Sequence, residues 1–490
     1  MSPTKKPDHV SVLIIGAGLS GIGAAAHLKM GLPELTYAIL EGREAIGGTW
    51  DLFRYPGVRS DSDMHTLGYR FRPWRENKIL ADGPSIKKYV EETADEYGVP
   101  QNIRFGHKVL TSAWDSATAT WTIDFVTTSP DGQAVEGSIT ANFLWNCTGY
   151  YNYDEPFTPD FPGIADFQGQ VLHPQQWPED LDYEDKRVVI IGSGATAITM
   201  VPAMAGTAGH VTMLQRSPTY VLSLPSTDPL EKALQRVLPE KVSAGVTRWR
   251  NVSMQAGLYQ ISQRRPKLVR RGIRAVTARQ LPKDYDVDTH FNPAYNPWDQ
   301  RLCVVPDGDL FRVIRKGQAS IETGVIDTFV ADGIKLTNGQ VIEADIVVTA
   351  TGLNLLAFGG MDIVVDGEKV TLSDRVAYKG SMLEGVPNFA YVVGYTNASW
   401  TLKADLISEY VVRVLKTLRK KKARSVVPVR GEGVETQPLM GLTSGYVQRS
   451  IGSFPAAGTT GPWRVPQNYF FDLVALRHGK VTEESLQFKA

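Results

Sequence analysis

The sequence predicts an α/β protein with two Rossmann-like dinucleotide-binding domains and a helical insertion in the second. First, its 490 residues exceed what one hydrophobic core usually supports, so two or more domains are expected. Second, two glycine-rich turns, at residues 16–21 and 192–197, each follow a short apolar run and precede a helical pattern. Third, a basic helical stretch from about residue 228 to 281 separates the second turn from its closing strand.

The composition excludes several classes of partner. Lys and Arg together number 52, as do Asp and Glu, which gives a formal net charge of +0 and argues against nucleic acid as the main partner. The two cysteines, Cys147 and Cys303, form no C-x-x-C motif, which fits a reducing compartment and excludes a redox-active dithiol. We predict no metal site.

The apolar run from Val10 to Leu28 follows Lys5 and Lys6, a pattern shared with signal peptides. Its glycines stand at nucleotide-binding spacing, so a strand, a turn and a helix are the better interpretation. No other run reaches transmembrane length without charge, and we expect a cytoplasmic protein.

The first glycine turn carries Gly16, Gly18 and Gly21 between a predicted strand at 10–15 and a predicted helix at 22–29. These glycines let the backbone turn tightly and approach a pyrophosphate at the helix N-terminus. Glu41 ends the next predicted strand, where a carboxylate accepts a hydrogen bond from a ribose hydroxyl. The alternative for Glu41 is a solvated acid at a strand end.

An antiparallel meander is predicted over residues 108–142, with a turn at Pro130-Asp131-Gly132. Residues 143–149 are predicted to form the strand that closes the first nucleotide domain, and residues 344–352 the strand that closes the second. The chain after Leu353 is expected to return to the first domain, because no further nucleotide motif follows.

The second glycine turn resembles the first but differs where coenzymes are distinguished. Ala197 replaces the third glycine, which is tolerated because that position serves helix packing. The stretch that corresponds to Glu41 contains Arg216 and no acid, which favours NADP over NAD. The alternative is that Arg216 pairs with a surface acid. The predicted binding residues of this site are Gly192, Gly194, Ala195, Thr196, Arg216 and Ser217.

Two dinucleotide sites on one chain imply a flavin at the first site and, at the second, the nicotinamide that reduces it. The predicted division is a FAD-binding domain at 1–150 that is completed by 357–490, and an NADP-binding domain at 151–220 that is completed by 301–356. The helical insertion occupies 221–300.

Two further segments carry family fingerprints. Residues 167–178 read F-x-G-x-x-x-H-x-x-x-W-P, through Phe167, Gly169, His173, Trp177 and Pro178. Residues 48–61 read G-x-W-x-x-x-x-Y-P-G-x-x-x-D. Together with the glycine turns they resemble the flavin-dependent Baeyer–Villiger monooxygenases, and over nearly the whole chain the ethionamide-activating subgroup of that family.

The resemblance implies FAD, NADPH and O2 as cofactors and co-substrate, and a ketone or sulfide as substrate. It implies ketone-to-ester oxidation through a C4a-peroxyflavin, and oxidation of sulfur in thioethers and thioamides. It also implies that Gly48, Thr49, Trp50 and Asp61 lie at the flavin site. Arg301 matches the family's active-site arginine, whereas Gln300 departs from the usual lysine that helps to bind the NADP 2′-phosphate.

Physical chemistry supports these roles. A peroxide attacks a carbonyl only as an anion, so a fixed cation such as Arg301 lowers the energy of the reactive form. Asp61 would orient that guanidinium bidentately. His173 lies in a connection between the domains, where it either transmits hinge motion or merely fixes the linker. The substrate pocket is expected to include residues 395–400 and 444–462.

Three alternatives remain open at this stage. A flavin-containing monooxygenase restricted to soft nitrogen or sulfur nucleophiles shares both glycine turns, and a nucleotide-responsive binding protein would keep the fold without the chemistry. The basic segment 264–274 fits either a membrane-surface contact or, as we expect, a solvated helix face. The oligomeric state and the physiological substrate are not determined by the sequence.

Overall fold

The computed structural model describes residues 8–129, 131–300 and 302–490. Its α-helices are α1 (Leu19–Gly31), α2 (Thr49–Leu52), α3 (Met64–Leu67), α4 (Gly83–Glu96), α5 (Ala195–Met204), α6 (Pro229–Val237), α7 (Glu240–Arg264), α8 (Pro266–Arg279), α9 (Val287–Phe291), α10 (Asp309–Arg315), α11 (Trp400–Lys420), α12 (Gly445–Ser450) and α13 (Tyr469–Asp472).

Its strands are β1 (Asp8–Ile15), β2 (Tyr37–Leu40), β3 (Ile103–Arg104), β4 (Lys108–Asp115), β5 (Thr120–Thr128), β6 (Ala134–Asn146), β7 (Tyr151–Pro156), β8 (Gln170–Leu172), β9 (Arg187–Ile191), β10 (His210–Gln215), β11 (Val221–Leu224), β12 (Cys303–Pro306), β13 (Ala319–Thr323), β14 (Ile326–Val330), β15 (Gly333–Leu336), β16 (Val341–Glu343), β17 (Ile346–Thr349), β18 (Leu353–Leu355), β19 (Asp362–Val365), β20 (Glu368–Lys369), β21 (Ala377–Tyr378), β22 (Met382–Leu383), β23 (Phe389–Tyr391), β24 (Ser425–Pro428), β25 (Thr436–Pro438), β26 (Ala456–Gly458) and β27 (Leu486–Lys489).

The first sheet joins a parallel core to an antiparallel extension. Its strand order is β20-β19-β4-β5-β6-β1-β2-β3, and β23 pairs with β6 beside that path. β1 pairs in parallel with β2 and β6, and its residues Val12, Leu13 and Ile14 are fully buried. Successive side chains of a strand point to opposite faces, so both faces of this sheet are covered, as expected for a nucleotide-binding sheet.

The predicted meander is confirmed as β4, β5 and β6, which pair antiparallel in sequence. The closing strand predicted at 143–149 is present up to Asn146, but it is not separate from the meander, because β6 is one continuous strand from Ala134 to Asn146. β6 leaves its antiparallel partner β5 and continues between the parallel strands β1 and β23. A single strand therefore serves both the meander and the nucleotide-binding core, and its burial rises towards Asn146.

The C-terminal part of the chain returns to the first sheet. β19 pairs in parallel with β4, and β23 pairs in parallel with β6. Helix α11 packs against α1, and its buried residues Leu402, Leu406 and Tyr410 share one hydrophobic core with Ile22 of α1. The first sheet is thus completed by residues that lie more than 200 positions away in the chain.

The second sheet is entirely parallel, in the order β13-β10-β9-β17-β8. With the first sheet it confirms the predicted fold class of two Rossmann-like α/β units. The predicted helical stretch is also confirmed, as α6, α7 and α8. In the chain it is inserted after β10 and before β13, two strands that pair with each other in this sheet. None of the helices in the described residues combines the length and apolar character that a bilayer crossing requires.

The two sheets are connected by two antiparallel segments that lie side by side. β7 leads from the first sheet towards the second and β18 leads back, and they pair with Leu353 opposite Pro156 and Leu355 opposite Tyr151. The chain thus crosses between the two units twice, through two adjacent segments that are hydrogen-bonded to each other.

Asn388 is a buried polar residue that joins three segments of the first unit. Its side-chain amide donates to the carbonyls of Asn142 at 2.8 Å and Arg424 at 3.0 Å, and its Oδ1 accepts from the N–H of Val426 at 2.8 Å. Its φ of 47° lies in the left-handed region, which Asn tolerates better than Ala.

We expect Asn388→Ala to lower the free energy of unfolding by about 3 kcal/mol, because it leaves three backbone groups unpaired, the buried N–H of Val426 among them, and strains the backbone. Thermal unfolding followed by circular dichroism measures this as a lower midpoint. The control is Asn338→Ala, since Asn338 is exposed and its side chain accepts a bond only from its own loop, at Gln340. Equal midpoints for the two variants would contradict the bridging role of Asn388.

Candidate active site

The first glycine turn is shaped by close contacts with neighbouring backbone. Gly16 has a φ of +98°, and a Cβ there would lie 2.8 Å from the carbonyl oxygen of Cys147. A Cβ on Gly21 would lie 1.8 Å from the carbonyl oxygen of Gly16, so only glycine lets α1 start directly against the turn. Gly18 forms a β-bridge with Gly47, and its Cβ position is 3.5 Å from the Cα of Gly48. Two glycine-rich loops therefore face each other.

Glu41 lies at the end of β2 and is buried. Its Oε2 accepts a hydrogen bond of 2.6 Å from the N–H of Ala17, and its Oε1 accepts one of 2.9 Å from the N–H of Arg43. Burial raises the pKa of the carboxyl above its ordinary value, and the two backbone hydrogen bonds oppose that shift. Glu41 thus ties the glycine turn to β2, which excludes the alternative of a solvated acid.

A cavity of about 390 Å³ lies above these loops. It is lined by residues from both glycine turns and from the fingerprint at residues 48–61, called the second fingerprint below. The predicted site residues among them are Gly16, Gly18, Glu41, Gly48, Thr49, Trp50, Asp61, Ala195 and Thr196. The structure therefore brings together in one space residues that lie up to 180 positions apart in the chain.

The cavity wall also contains aromatic residues, one of which, Trp400, lies in the expected segment 395–400. Tyr150, Tyr153 and Trp400 line it, and the rings of Tyr150 and Trp400 are 5.1 Å apart. The hydroxyl of Tyr153 lies 3.1 Å from Oγ1 of Thr49, where it buttresses the second fingerprint. Tyr395 is a lining residue as expected, but in the described residues the predicted segment 444–462 contributes none.

The second glycine turn is crowded at Gly192 and open at Gly194. Gly192 has a φ of +137°, and a Cβ there would lie 2.3 Å from the carbonyl oxygen of Ala350. Gly194 caps α5, and no described heavy atom lies within 4 Å of its Cβ position. Protein packing therefore requires glycine at 192 but not at 194, which leaves the start of α5 accessible to a pyrophosphate.

Arg216 and Ser217 are exposed at the end of β10, beside this turn. Oγ of Ser193 donates a 3.0 Å hydrogen bond to the carbonyl oxygen of Ser217, which connects the turn to the segment that carries Arg216. A cation and helix N–H groups side by side fit an NADP phosphate chemically.

The second fingerprint also docks one unit on the other. A Cβ on Gly57 would lie 2.5 Å from the carbonyl oxygen of Thr199 in α5, and Tyr55 is buried in the hydrophobic core of the second unit. Arg59 forms a salt bridge of 2.6 Å with Asp309 at the start of α10. Asp61 lies two residues after Arg59 and lines the cavity. Its predicted partner Arg301 lies outside the described residues.

Among the described residues, none of the first fingerprint, residues 167–178, lines the cavity. The fingerprint packs instead against the second sheet and the paired connection. Phe167 packs on Phe329, and a Cβ on Gly169 would lie 2.3 Å from the carbonyl oxygen of Asp345. Trp177 packs, partly buried, against the core of the second unit, and Pro178 follows it at partial exposure.

His173 of this fingerprint is buried beside the paired connection. Its Nδ1 accepts a 3.1 Å hydrogen bond from the N–H of Gln175, so its ring proton resides on Nε2. Burial lowers the pKa of the imidazole, while the backbone of Gly352 and Phe157, one from each connecting segment, opposes the shift. His173 therefore lies close to both segments of the paired connection.

The fold and this site define a class of protein. A model of the flavin-binding monooxygenase-like family matches residues 73–427, and a model of an NAD(P)-binding Rossmann-like domain matches residues 14–76. The chain belongs to the flavin-binding monooxygenase-like family. Membership of this family confirms the prediction that the chain is a flavin monooxygenase that binds FAD and NADP.

Particular relatives are similar over nearly the whole chain. The chain is 51% identical over 483 residues to the FAD-containing monooxygenase EthA of Mycobacterium tuberculosis (strain ATCC 25618 / H37Rv), with 98% of each chain covered. It is 49% identical to the probable FAD-binding monooxygenase AlmA of Acinetobacter baylyi, with 98% of this chain and 96% of the other covered.

Solved structures share the fold. An open crystal structure of cyclohexanone monooxygenase has a TM-score of 0.74 at 19% identity, covering 99% of this chain and 100% of the other. An oxidized steroid monooxygenase bound to NADP has a TM-score of 0.73 at 19% identity, covering 98% and 99%. The predicted resemblance to Baeyer–Villiger monooxygenases is confirmed as a similarity of structure.

We expect Gly194→Ala to fold normally but to raise the Michaelis constant for NADPH by about tenfold, because its methyl group enters the space of the pyrophosphate. Gly192→Ala is the matched control, since its methyl group would collide with the backbone of Ala350 and lower the thermal midpoint. Steady-state NADPH oxidation and thermal unfolding measure the two effects. A Gly194→Ala variant with an unchanged Michaelis constant would contradict a phosphate site there.

Proposed function

We propose that the protein is an NADPH- and O2-dependent flavin monooxygenase that converts ketones to esters or lactones and also oxidises sulfur in thioethers and thioamides. The observation that carries the proposal is the single cavity lined by both glycine turns and by Asp61. A flavin and the nicotinamide that reduces it have to meet, and one shared cavity supports that requirement. The two fingerprints support the ketone as substrate.

In this proposal the first turn, Glu41 and residues 48–50 hold FAD. The crowding at Gly16 and Gly21 supports a backbone that can approach a pyrophosphate without a side chain between them. The bound flavin supplies the electrons that activate dioxygen. Tyr150 and Trp400 supply apolar aromatic surface to the wall of that space.

The second turn holds NADP in this proposal. Gly192, Gly194, Ala195 and Thr196 provide the backbone, and Arg216 with Ser217 receives the 2′-phosphate. Gln300 stands where the family carries a lysine, so Arg216 carries a larger share of the selectivity for NADPH. His173 is proposed to link the movements of the two connecting segments, because its buried ring lies close to the backbone of Phe157 and Gly352.

Arg301 is proposed as the fixed cation of the site, and Asp61 as the carboxylate that orients it. A guanidinium keeps its charge at any working pH and stabilises negative charge that develops on oxygen. Asp61 supports this assignment because it lines the cavity two residues after the docked segment 53–59. The assignment of Arg301 itself depends on the family pattern at residues 298–303.

The second candidate function is oxidation of soft nitrogen or sulfur nucleophiles alone. The match to the flavin-binding monooxygenase-like family favours it as much as ketone oxidation. The Trp177-Pro178 ending and Arg301 favour ketone oxidation. Product analysis of the purified enzyme with NADPH and a panel of linear, cyclic and aryl ketones distinguishes the two, because only the ketone oxidant forms esters.

We expect Arg301→Ala to bind FAD and to be reduced by NADPH normally, while ester formation falls at least about a hundredfold. Carbonyl attack needs a negatively charged oxygen nucleophile, whereas sulfur oxidation needs a neutral electrophile, so sulfoxidation should fall less. Stopped-flow reduction and product analysis on one ketone and one thioether measure both.

Arg301→Lys tests the same residue with the charge kept and should retain more ester formation than Arg301→Ala. Arg279→Ala, at an exposed position of α8, is the matched control and should behave like the wild type. An unchanged ester yield in Arg301→Ala would refute the role of Arg301.

Arg216→Ala should raise the Michaelis constant for NADPH by about tenfold or more and leave that for NADH nearly unchanged, because only NADPH carries the 2′-phosphate. Parallel titrations with both coenzymes measure the difference. The control is Lys186→Ala, which also removes one positive charge, at an exposed position before β9. Equal changes for both coenzymes would assign Arg216 a general structural role instead.

A further inference from the structure

A second cavity, of about 440 Å³, lies between the helical insertion and the first unit. In the described residues it shares no lining residue with the cavity at the glycine turns. Four basic side chains contribute to its wall, namely Arg70, Lys241, Arg248 and Arg477, and none of its described lining residues is acidic. Phe71, Trp74 and Trp249 supply aromatic surface.

Part of this positive charge is neutralised from behind the wall by a single carboxylate. Glu409 lies 3.0 Å from Nη2 of Arg70 and accepts a 2.9 Å hydrogen bond from Nη2 of Arg477. One carboxylate thus serves two guanidinium groups, which leaves one positive charge uncompensated. Charges of one sign that line a cavity attract a ligand of the other sign, whether they are largely buried, like Arg477, or exposed, like Arg70.

The other two cations add a second uncompensated charge. Arg248 lies 3.6 Å from Asp405, which also lies 3.1 Å from Nε2 of His27. Within the described part of the chain, Lys241 has no acidic partner. The four cations are therefore matched by two carboxylates. A third carboxylate, Glu231, lies 2.9 Å from Nε2 of the lining residue His65 and pairs with none of the four, so the excess in direct ion pairs is two positive charges.

The mouth of this cavity has an exposed apolar rim. Trp249 is 47% exposed, and its ring stacks at 6.2 Å on that of Phe470, which is 39% exposed. Val242 and Val246 are exposed at helical spacing before Trp249, so the three side chains share one face of α7. An apolar rim beside a cationic cavity matches the two ends of an amphiphile.

The surrounding insertion is also strongly basic. Residues 228–281 contain 12 Lys and Arg and 3 Asp and Glu, a net charge of +9, although the whole chain has a net charge of +0. Two copies of such a surface repel each other, which disfavours self-association through this face. An anionic ligand is the better match.

We propose that this cavity binds the anionic head of an amphiphile, such as a fatty-acid carboxylate or a phospholipid phosphate, with its apolar tail on the rim at Trp249. The head would meet Lys241 and the arginines of the wall, where charge-assisted hydrogen bonds are available. The tail would cover aromatic and aliphatic surface that otherwise faces water.

The test measures binding of dodecanoate to the flavin-loaded enzyme by isothermal titration calorimetry, with dodecan-1-ol as the uncharged probe of equal length. We expect one equivalent of dodecanoate to bind, and dodecan-1-ol to bind at least about tenfold more weakly. Lys241→Glu and Trp249→Ala should each weaken dodecanoate binding by about tenfold and leave NADPH oxidation unchanged.

Two matched variants lie elsewhere on the same insertion. Lys267→Glu makes the same charge change on α8, and Leu268→Ala removes a large side chain that is 64% exposed. Both should bind dodecanoate like the wild type. The proposal is overturned if dodecanoate does not bind, if dodecan-1-ol binds equally well, or if Lys267→Glu weakens binding as much as Lys241→Glu does.

Cosedimentation with vesicles identifies the source of the amphiphile. If the protein sediments with phosphatidylcholine–phosphatidylglycerol vesicles but not with pure phosphatidylcholine vesicles, and Lys241→Glu abolishes this, the ligand is an anionic lipid of a bilayer. If dodecanoate binds and neither vesicle sediments the protein, the ligand is a free anionic amphiphile. Both results support the site, and sedimentation that is unchanged in Lys241→Glu and Trp249→Ala counts against it.

Discussion

The contact on which the rest of the structure depends is the docking of residues 53–59 against α5. Gly57 approaches the backbone of Thr199 so closely that no Cβ fits between them, and Phe53 and Tyr55 are buried in the core of the second unit. This contact sets the separation between the two glycine turns. Because it does, residues of both turns line one cavity instead of two separate sites.

The other wall of that cavity depends on the C-terminal part of the chain. Nζ of Lys403 and the hydroxyl of Tyr395 each donate a 2.6 Å hydrogen bond to the carboxylate of Asp472. Burial lowers the pKa of Lys403, and Asp472 opposes that shift. A buried ion pair of this kind is strongly destabilising when one partner is removed. Tyr395 is therefore held at the cavity by residues close to the C-terminus.

Local chemistry explains which parts of the site could be predicted. Gly16 and Gly192 are required by backbone contacts within one strand–turn–helix unit, so their spacing alone reveals them. Tyr153 could not be found in this way, because its contact with Thr49 joins positions 104 residues apart. Residues 395–400 contribute to the cavity as expected, whereas residues 444–462, which are described, do not line it. Their predicted place in the substrate pocket stays a prediction.

By itself, the sequence determined the fold class, the two glycine turns, the meander and the family, because each depends on local periodicity or on residues a few positions apart. Only the tertiary structure decided that β6 serves two functions in one strand, that Glu41 bonds to the glycine turn, and that the second fingerprint docks one unit on the other. The basic insertion illustrates the same division. Its charge is visible in the sequence, but the cavity that gathers four cations around two carboxylates arises from elements that meet only when the chain folds.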